Sequence, residues 1–228
     1  MLPIKDFLKR IVPAAWKEPL KNIYIACLRI TRMDTYYFYN KDFATGPWRN
    51  KGWAGDFSNL IIKIFDPKSI VDFGCGTADI LSPFEKKGIT VLGIDGSKYN
   101  KKCSKIQQSN FLVFDLRNKY KPKRSYDLCF CFEVAEHIEE KYSDVLISSL
   151  IQSSPVILFS ASLAMDGVDH VNLHPYEWWK QRFRKYDFYF DPASTSTLKD
   201  GMRKLSGIRT WYIDNVMVFR KDALKQDE

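Results

Sequence analysis

The chain has 228 residues, 45% of them hydrophobic and 15% aromatic, with a formal charge of +8. That length suits one domain, large enough to bury roughly 70% or more of its unfolded surface without staples. Five cysteines (Cys27, Cys75, Cys103, Cys129, Cys131) with no C-x-x-C pair argue for reduced thiols rather than a disulfide frame. No leading apolar run resembles a signal peptide and none could span a bilayer, so a cytoplasmic protein is expected.

The first 60 residues carry ten Lys or Arg against five Asp or Glu, a net +5. Pro3 opens a segment with apolar residues at 4, 7, 8, 11 and 12, a helical spacing that ends at Pro13. A second such stretch runs from Pro19, with Leu20, Ile23, Tyr24, Cys27, Leu28 and Thr31 on one face. Two basic amphipathic helices suit weak contact with an anionic membrane surface, or nucleic acid. The alternative, favoured here, is a lid packed on the core with its lysines in water. Residues 1–60 are therefore read as a basic helical extension and 61–222 as the main domain.

From residue 68 the pattern alternates. Strands are expected at 69–73, 89–94, 110–114, 126–132 and 155–161, and helices near 78–87, 98–108, 141–152 and 175–185. Such alternation means a parallel sheet with helices on both faces. Phe188–Phe190 and Thr210–Phe219 are aromatic and β-branched with a polar segment, 191–207, between them. The last stretch is expected to insert antiparallel, giving an α/β fold with a seven-stranded, mostly parallel, doubly wound sheet.

Within this frame Val71-Asp-Phe-Gly-Cys-Gly-Thr-Ala-Asp79 reads as a strand, a glycine turn and a helix start. Gly74 and Gly76 let the backbone turn tightly and approach a ligand. Asp95 ends the next apolar run, at the distance where an acid binds a ribose hydroxyl pair. A dinucleotide fingerprint would need glycine at position 79, where Asp79 stands, and its carboxylate would repel a pyrophosphate. A cationic sulfonium cofactor suits a turn flanked by Asp72 and Asp79.

Further strand ends add candidates. Asp115 could accept a hydrogen bond from an adenine amino group, or serve as a cap or turn residue. A short helix beginning at Glu133 would put Glu133 and His137 one turn apart on one face, with Glu136 beside them. His170 and His174 follow the fifth strand, so all three histidines are expected near one pocket with Tyr176, Trp178 and Trp179. Glu133, Glu136, His137 and His170 could hold a divalent metal; alternatively a histidine acts as general base.

The ordered set VDFGCGTAD, GIDGS, FDLRN and YDLCFCFEVAEHI resembles the class I S-adenosylmethionine-dependent methyltransferases, over residues 68 to about 220. The resemblance implies that the glycine turn packs against the methionine part of the cofactor. It places Asp95 on the ribose, Asp115 near the adenine, and Phe132 or Glu133 beside the methionine moiety. Cofactor contacts are thus expected at Asp72, Gly74, Cys75, Gly76, Asp95, Gly96, Asp115, Leu116 and Phe132, and catalytic roles at His170, His174 and Glu133. The E-x-x-E-H sequence is similar to metal-assisted small-RNA 2′-O-methyltransferases and to quinone-pathway O-methyltransferases, but also to small-molecule enzymes that bind no metal. O-methylation of a small hydroxylated molecule (a sugar, a lipid-linked group or another metabolite) is the expected reaction. The alternative is an RNA 2′-O or base methyltransferase, on account of the charge, the segment Trp48-Arg-Asn-Lys-Gly-Trp53, and Lys180, Arg182, Arg184 and Lys185.

Overall fold

The computed structural model describes residues 14–34, 38–42, 52–164 and 169–221. The expected helix over 3–13 and most of the Trp48–Trp53 segment lie outside them. Helix α1 (Ala14–Ile30) starts ahead of Pro19, which lies inside it. Helix α2 (Ala54–Phe65) buries Phe57 and Ile61 and stops at Asp66, whose left-handed φ of 42° turns its N–H back to the Ile62 carbonyl.

The alternating region follows: β1 (Ser69–Phe73), α3 (Ser82–Lys86), β2 (Thr90–Asp95), α4 (Lys98–Lys102), β3 (Phe111–Val113), β4 (Leu128–Phe132), α5 (Ser143–Ser153), β5 (Val156–Ser160) and α6 (Tyr176–Arg184). The end comprises β6 (Phe188–Phe190), α7 (Pro192–Met202), α8 (Thr210–Asn215) and β7 (Met217–Lys221). The sheet has seven strands in the order β3-β2-β1-β4-β5-β7-β6. Only β7 runs against its neighbours, between β5 and β6.

Side-chain alternation accounts for burial on both faces. Val71, Phe73, Cys129, Cys131, Ile157 and Phe159 pack under α5 and α6, with Trp179 and Phe183 fully buried. Ile70, Leu128, Phe130, Leu158 and Val218 face the other way, against Phe57, Ile61, Phe84, Leu198 and Ile213.

Three local expectations change. The helix expected to 108 ends at Lys102, after a start capped by the Ser97 hydroxyl. The polar stretch after β6 is helical, because the Asp191 carboxylate accepts the Ser194 N–H and Pro192 fits the first turn. Thr210–Phe219 is not one strand: β7 needs only five residues to pair, and Ile213 buries itself from a short helix instead.

The topology also fixes where a ligand can sit. The chain runs outward from β1 to β2 and β3, then returns to β4 beside β1. Connections leaving β1 and β4 therefore diverge at their carboxyl ends and open a crevice.

Candidate functional site

The turn after β1 is hung on the end of β2. The N–H groups of Gly74 and Cys75 both donate to the Ile94 carbonyl, at 2.7 and 3.2 Å. Gly74, Gly76 and Ala78 all have positive φ (77°, 57° and 59°). A side chain on Gly74 would be strained by that φ and would also collide with Val134, since its Cβ would lie 2.3 Å from Cγ2. The glycine therefore lets the loops after β1 and β4 close on one another. Gly93 serves similarly, because a Cβ there would lie 2.8 Å from the Cys75 sulfur.

Asp95 is held on this ledge. Its Oδ2 accepts the Gly76 N–H at 2.9 Å; its Oδ1 accepts the Ser97 N–H at 2.8 Å and the Asn100 amide at 3.0 Å. Carboxylate oxygens accept more than one hydrogen bond each, so this fixed orientation is compatible with a further donor such as a ribose hydroxyl. Gly96 forms the bend just beyond. Asp72 is buried at the end of β1, and Asp79, which accepts from the Thr77 hydroxyl, closes the turn. The acidic flanks and bare backbone fit a nucleoside carrying a cation.

Cys75 and Leu116 bury their side chains. The Phe132 ring packs among Phe57, Phe130 and Tyr212. Asp115 is a turn residue that accepts the Arg117 N–H at 3.0 Å, and it also grips the Arg117 guanidinium. Burial alone would raise its pKa, but those hydrogen bonds, with Arg32 nearby, hold it below the usual carboxylate value. Asp115 thus sits in an ion pair with Arg117.

Arg117 is the anchor for an N-terminal strap. Its buried guanidinium donates to Asp34 at 2.9 and 3.0 Å. Arg29 at the end of α1 pairs with Asp169 beyond β5, and Arg32 donates to Asn118 at 2.7 Å. The Tyr39 carbonyl accepts the Ser97 hydroxyl at 2.7 Å, and its ring meets His137 edge-on at 5.9 Å. Arg29, Arg32, Asp34 and Tyr39 thereby tie together the loops after β2, β3, β4 and β5.

In the loops after β4 and β5, Glu136, His137 and His170 converge, with one ligand atom from each lying within 4.8 Å of the others. The imidazole centroids of His137 and His170 are 4.8 Å apart. His170 Nδ1 lies 2.6 Å from the Ala164 carbonyl, and His137 Nδ1 lies 3.3 Å from that of Asp169. A carbonyl only accepts, so Nδ1 carries the proton in each neutral ring and the basic lone pair sits on Nε2. Glu136 is 1% exposed, and neither carboxyl oxygen has a hydrogen-bond partner of ordinary geometry among the described residues. Burial, with repulsion from Glu133, pushes its pKa up to about 8.

The expected helical face does not form. Glu133 has a φ of 54°, and only Ala135–His137 makes a 3-10 turn. Glu133 swings instead to Asn215, whose amide donates to both its oxygens at 3.1 and 3.2 Å. The Tyr176 hydroxyl donates to the Asn215 carbonyl oxygen at 2.8 Å, which fixes the amide with its NH2 toward Glu133. His174 also stands apart from the cluster. Its ring stacks on Trp178 at 3.7 Å and its Nε2 meets Glu140 at 3.1 Å, so both its face and its nitrogen are engaged elsewhere. Asn172 was not singled out in the sequence, yet its amide donates to the Ala135 carbonyl and the Ser143 hydroxyl and so holds the 3-10 turn.

A sequence profile of a family described as "Methyltransferase domain" matches residues 48–200, two thirds of the chain. The chain belongs to that family. It is a class I S-adenosylmethionine-dependent methyltransferase with the Rossmann-like fold. Among curated proteins it is 25% identical over 164 residues to a ubiquinone biosynthesis O-methyltransferase of Pelagibacter ubique, covering 64% of this chain and 67% of that protein. Its matches to the same-named enzyme from Rhodopseudomonas palustris strains span less than a third of either chain, at 29–32% identity. Two solved structures show the fold. A TehB-like methyltransferase of Corynebacterium glutamicum superposes with a TM-score of 0.58 at 18% identity, covering 80% of this chain and 98% of that one. The S-adenosylmethionine-bound amino pentose methyltransferase CalS10 of Micromonospora echinaspora gives 0.57 at 12%, covering 76% and 93%.

Proposed function

We propose that this methyltransferase transfers a methyl group to a hydroxyl of a small molecule, on the Glu136–His137–His170 side of the crevice. S-adenosylmethionine supplies an activated methyl group, so the protein's tasks are alignment and removal of the acceptor's proton. Alignment alone is worth roughly 7–11 kcal/mol in well-oriented systems. The glycine turn with Asp95 and Asp72 holds the donor, and Glu133, oriented by the Asn215 amide, stands ready for its ammonium group.

The observation that carries the hydroxyl acceptor is the pair of imidazoles whose Nδ1 atoms are held on backbone carbonyls. His170 Nε2 takes the proton, as its place beside His137 in the loop after β5 suggests. A second reading rests on the buried Glu136 carboxyl beside both rings. With Nδ1 anchored, Glu136, His137 and His170 match the donor set of a divalent cation, which would lower the acceptor hydroxyl's pKa. Glu133, turned to Asn215, is not part of that set. The similarity to ubiquinone biosynthesis O-methyltransferases and to an amino pentose methyltransferase supports a small acceptor.

The test is transfer of labelled methyl from S-adenosylmethionine to panels of phenols, sugars and RNA, with and without chelator. Label in the small molecules and a loss of about 100-fold in His170→Ala are expected. Activity abolished by chelator and restored by magnesium or manganese selects the cation reading. Label in RNA alone, or full turnover by His170→Ala, overturns the proposal.

A further inference from the structure

Helix α1 is apolar on the side that faces away from the protein. Eight large hydrophobic residues are exposed among the described residues, and five of them, Trp16, Leu20, Ile23, Ile30 and Met33, lie on α1 or just after it. Trp16 is 62%, Ile23 61% and Ile30 82% exposed. With exposed Cys27 they follow a spacing of four, three, four and three residues, one stripe along the helix. The opposite face is already occupied, since Tyr24, Ile25, Leu28 and Arg29 are half-buried. An ordinary surface helix presents polar residues outward, so this stripe calls for a covering partner.

The charge around the stripe selects the partner. Residues 1–33 contain seven Lys or Arg against Asp6 and Glu18. Arg29 and Arg32 turn inward to Asp169, Asp115 and Asn118, and Lys21 pairs with Glu18, so the rest of the segment's positive charge comes, in sequence, from Lys5, Lys9, Arg10 and Lys17. A second copy of the chain would bring two such positive segments together, with only Asp6 and Glu18 in residues 1–33 to offset seven Lys or Arg. An anionic lipid surface attracts the charge and receives the apolar stripe at once.

We infer that α1 is an interfacial helix that lies on an anionic lipid bilayer, its Trp16–Ile30 stripe toward the acyl boundary. The strap carrying Arg29, Arg32 and Asp34 leaves the end of this helix directly for the loops around the crevice. Docking through α1 therefore brings the cofactor crevice close to the lipid surface. This inference stands on α1 and does not depend on which acceptor is methylated.

Vesicle flotation of the full chain tests it. Binding is expected to phosphatidylcholine vesicles containing about 30% phosphatidylglycerol, with little to phosphatidylcholine alone and a marked loss at high salt. The double variant Ile23→Gln/Ile30→Gln should weaken partitioning about tenfold or more, with turnover and thermal melting unchanged because both side chains are exposed. Should that variant melt early, Trp16→Gln in the first turn gives the same reading. Equal binding of variant and parent, equal binding to neutral vesicles, or a dimer in light scattering that the variant dissolves would each overturn the inference.

Discussion

The donor and acceptor sides of the crevice are built from different materials. The donor side is backbone: a turn of glycines in left-handed conformation, hung on the Ile94 carbonyl and locked by Asp95, with participants between Asp72 and Asn100. The acceptor side is side chain: Glu136, His137 and His170, gathered from the loops after β4 and β5, while Glu133, held by Asn215 and Tyr176 from two helices beyond, stands between the two sides. Backbone ledges tolerate little change in shape but are indifferent to most side chains. A side-chain cluster can change its chemistry one residue at a time while the fold stays intact. The donor side should therefore fail by steric change, and the acceptor side by loss of single polar groups.

The largest expected effect is steric. Gly74→Ala combines a φ of 77° with a collision against Val134, and should cost roughly 3–5 kcal/mol in denaturant unfolding. Gly88→Ala, equally left-handed at 80° but with open space around it, should cost only about 1 kcal/mol. Equal losses would remove the close approach of the two loops from the account.

Next is the buried carboxyl. The folded pKa of Glu136, about 8, lies above its ordinary value of 4.5, so the native state keeps a proton that the unfolded chain releases. Its contribution to stability is greatest below about pH 4.5, declines as pH rises, and levels off above about 8. In chelator, the stability difference between the protein and Glu136→Gln should shift by roughly 2–4 kcal/mol between pH 5 and 8, the variant gaining relative to the parent as pH rises. A difference independent of pH would mean that the carboxyl is paired or wet.

Asp95→Ala removes the acceptor for three N–H donors as well as any ribose contact, and should weaken S-adenosylhomocysteine about 100-fold by calorimetry. The smallest expected effect belongs to Asn215→Ala, which frees Glu133. Cofactor KM should rise about tenfold with little change in Tm, and Tyr176→Phe should give a milder version of the same. A fall in Tm with unchanged KM would make Asn215 purely structural.

This division also explains what the sequence discloses. The glycine turn, Asp95, the alternating strands and the antiparallel insertion of β7 are local or periodic features, and each follows from residues close in the chain. Asn215 carries no local mark. It matters because β7 inserts beside β5 and brings the preceding helix to the end of β4, a distance of 82 positions from Glu133. The expected helical pairing of Glu133 with His137 fails for the same reason, since a tertiary bond to Asn215 holds Glu133 at φ 54°. Asp115 sits where the motif puts it, and its link through Arg117 to Asp34 of the strap, 83 positions from Arg117, is what the local FDLRN segment does not disclose. His174 was grouped with the other histidines by its place in the chain, yet Trp178, four residues later on α6, stacks against it and turns it away.

A structure of the protein with S-adenosylhomocysteine tests the central claim most directly. The account predicts the ribose hydroxyls on the Asp95 carboxylate, the amino-acid end between the Gly74–Gly76 turn and Glu133, and the sulfur facing the Glu136–His137–His170 cluster. A nucleoside bound away from Asp95, or a sulfur facing away from that cluster, would contradict it.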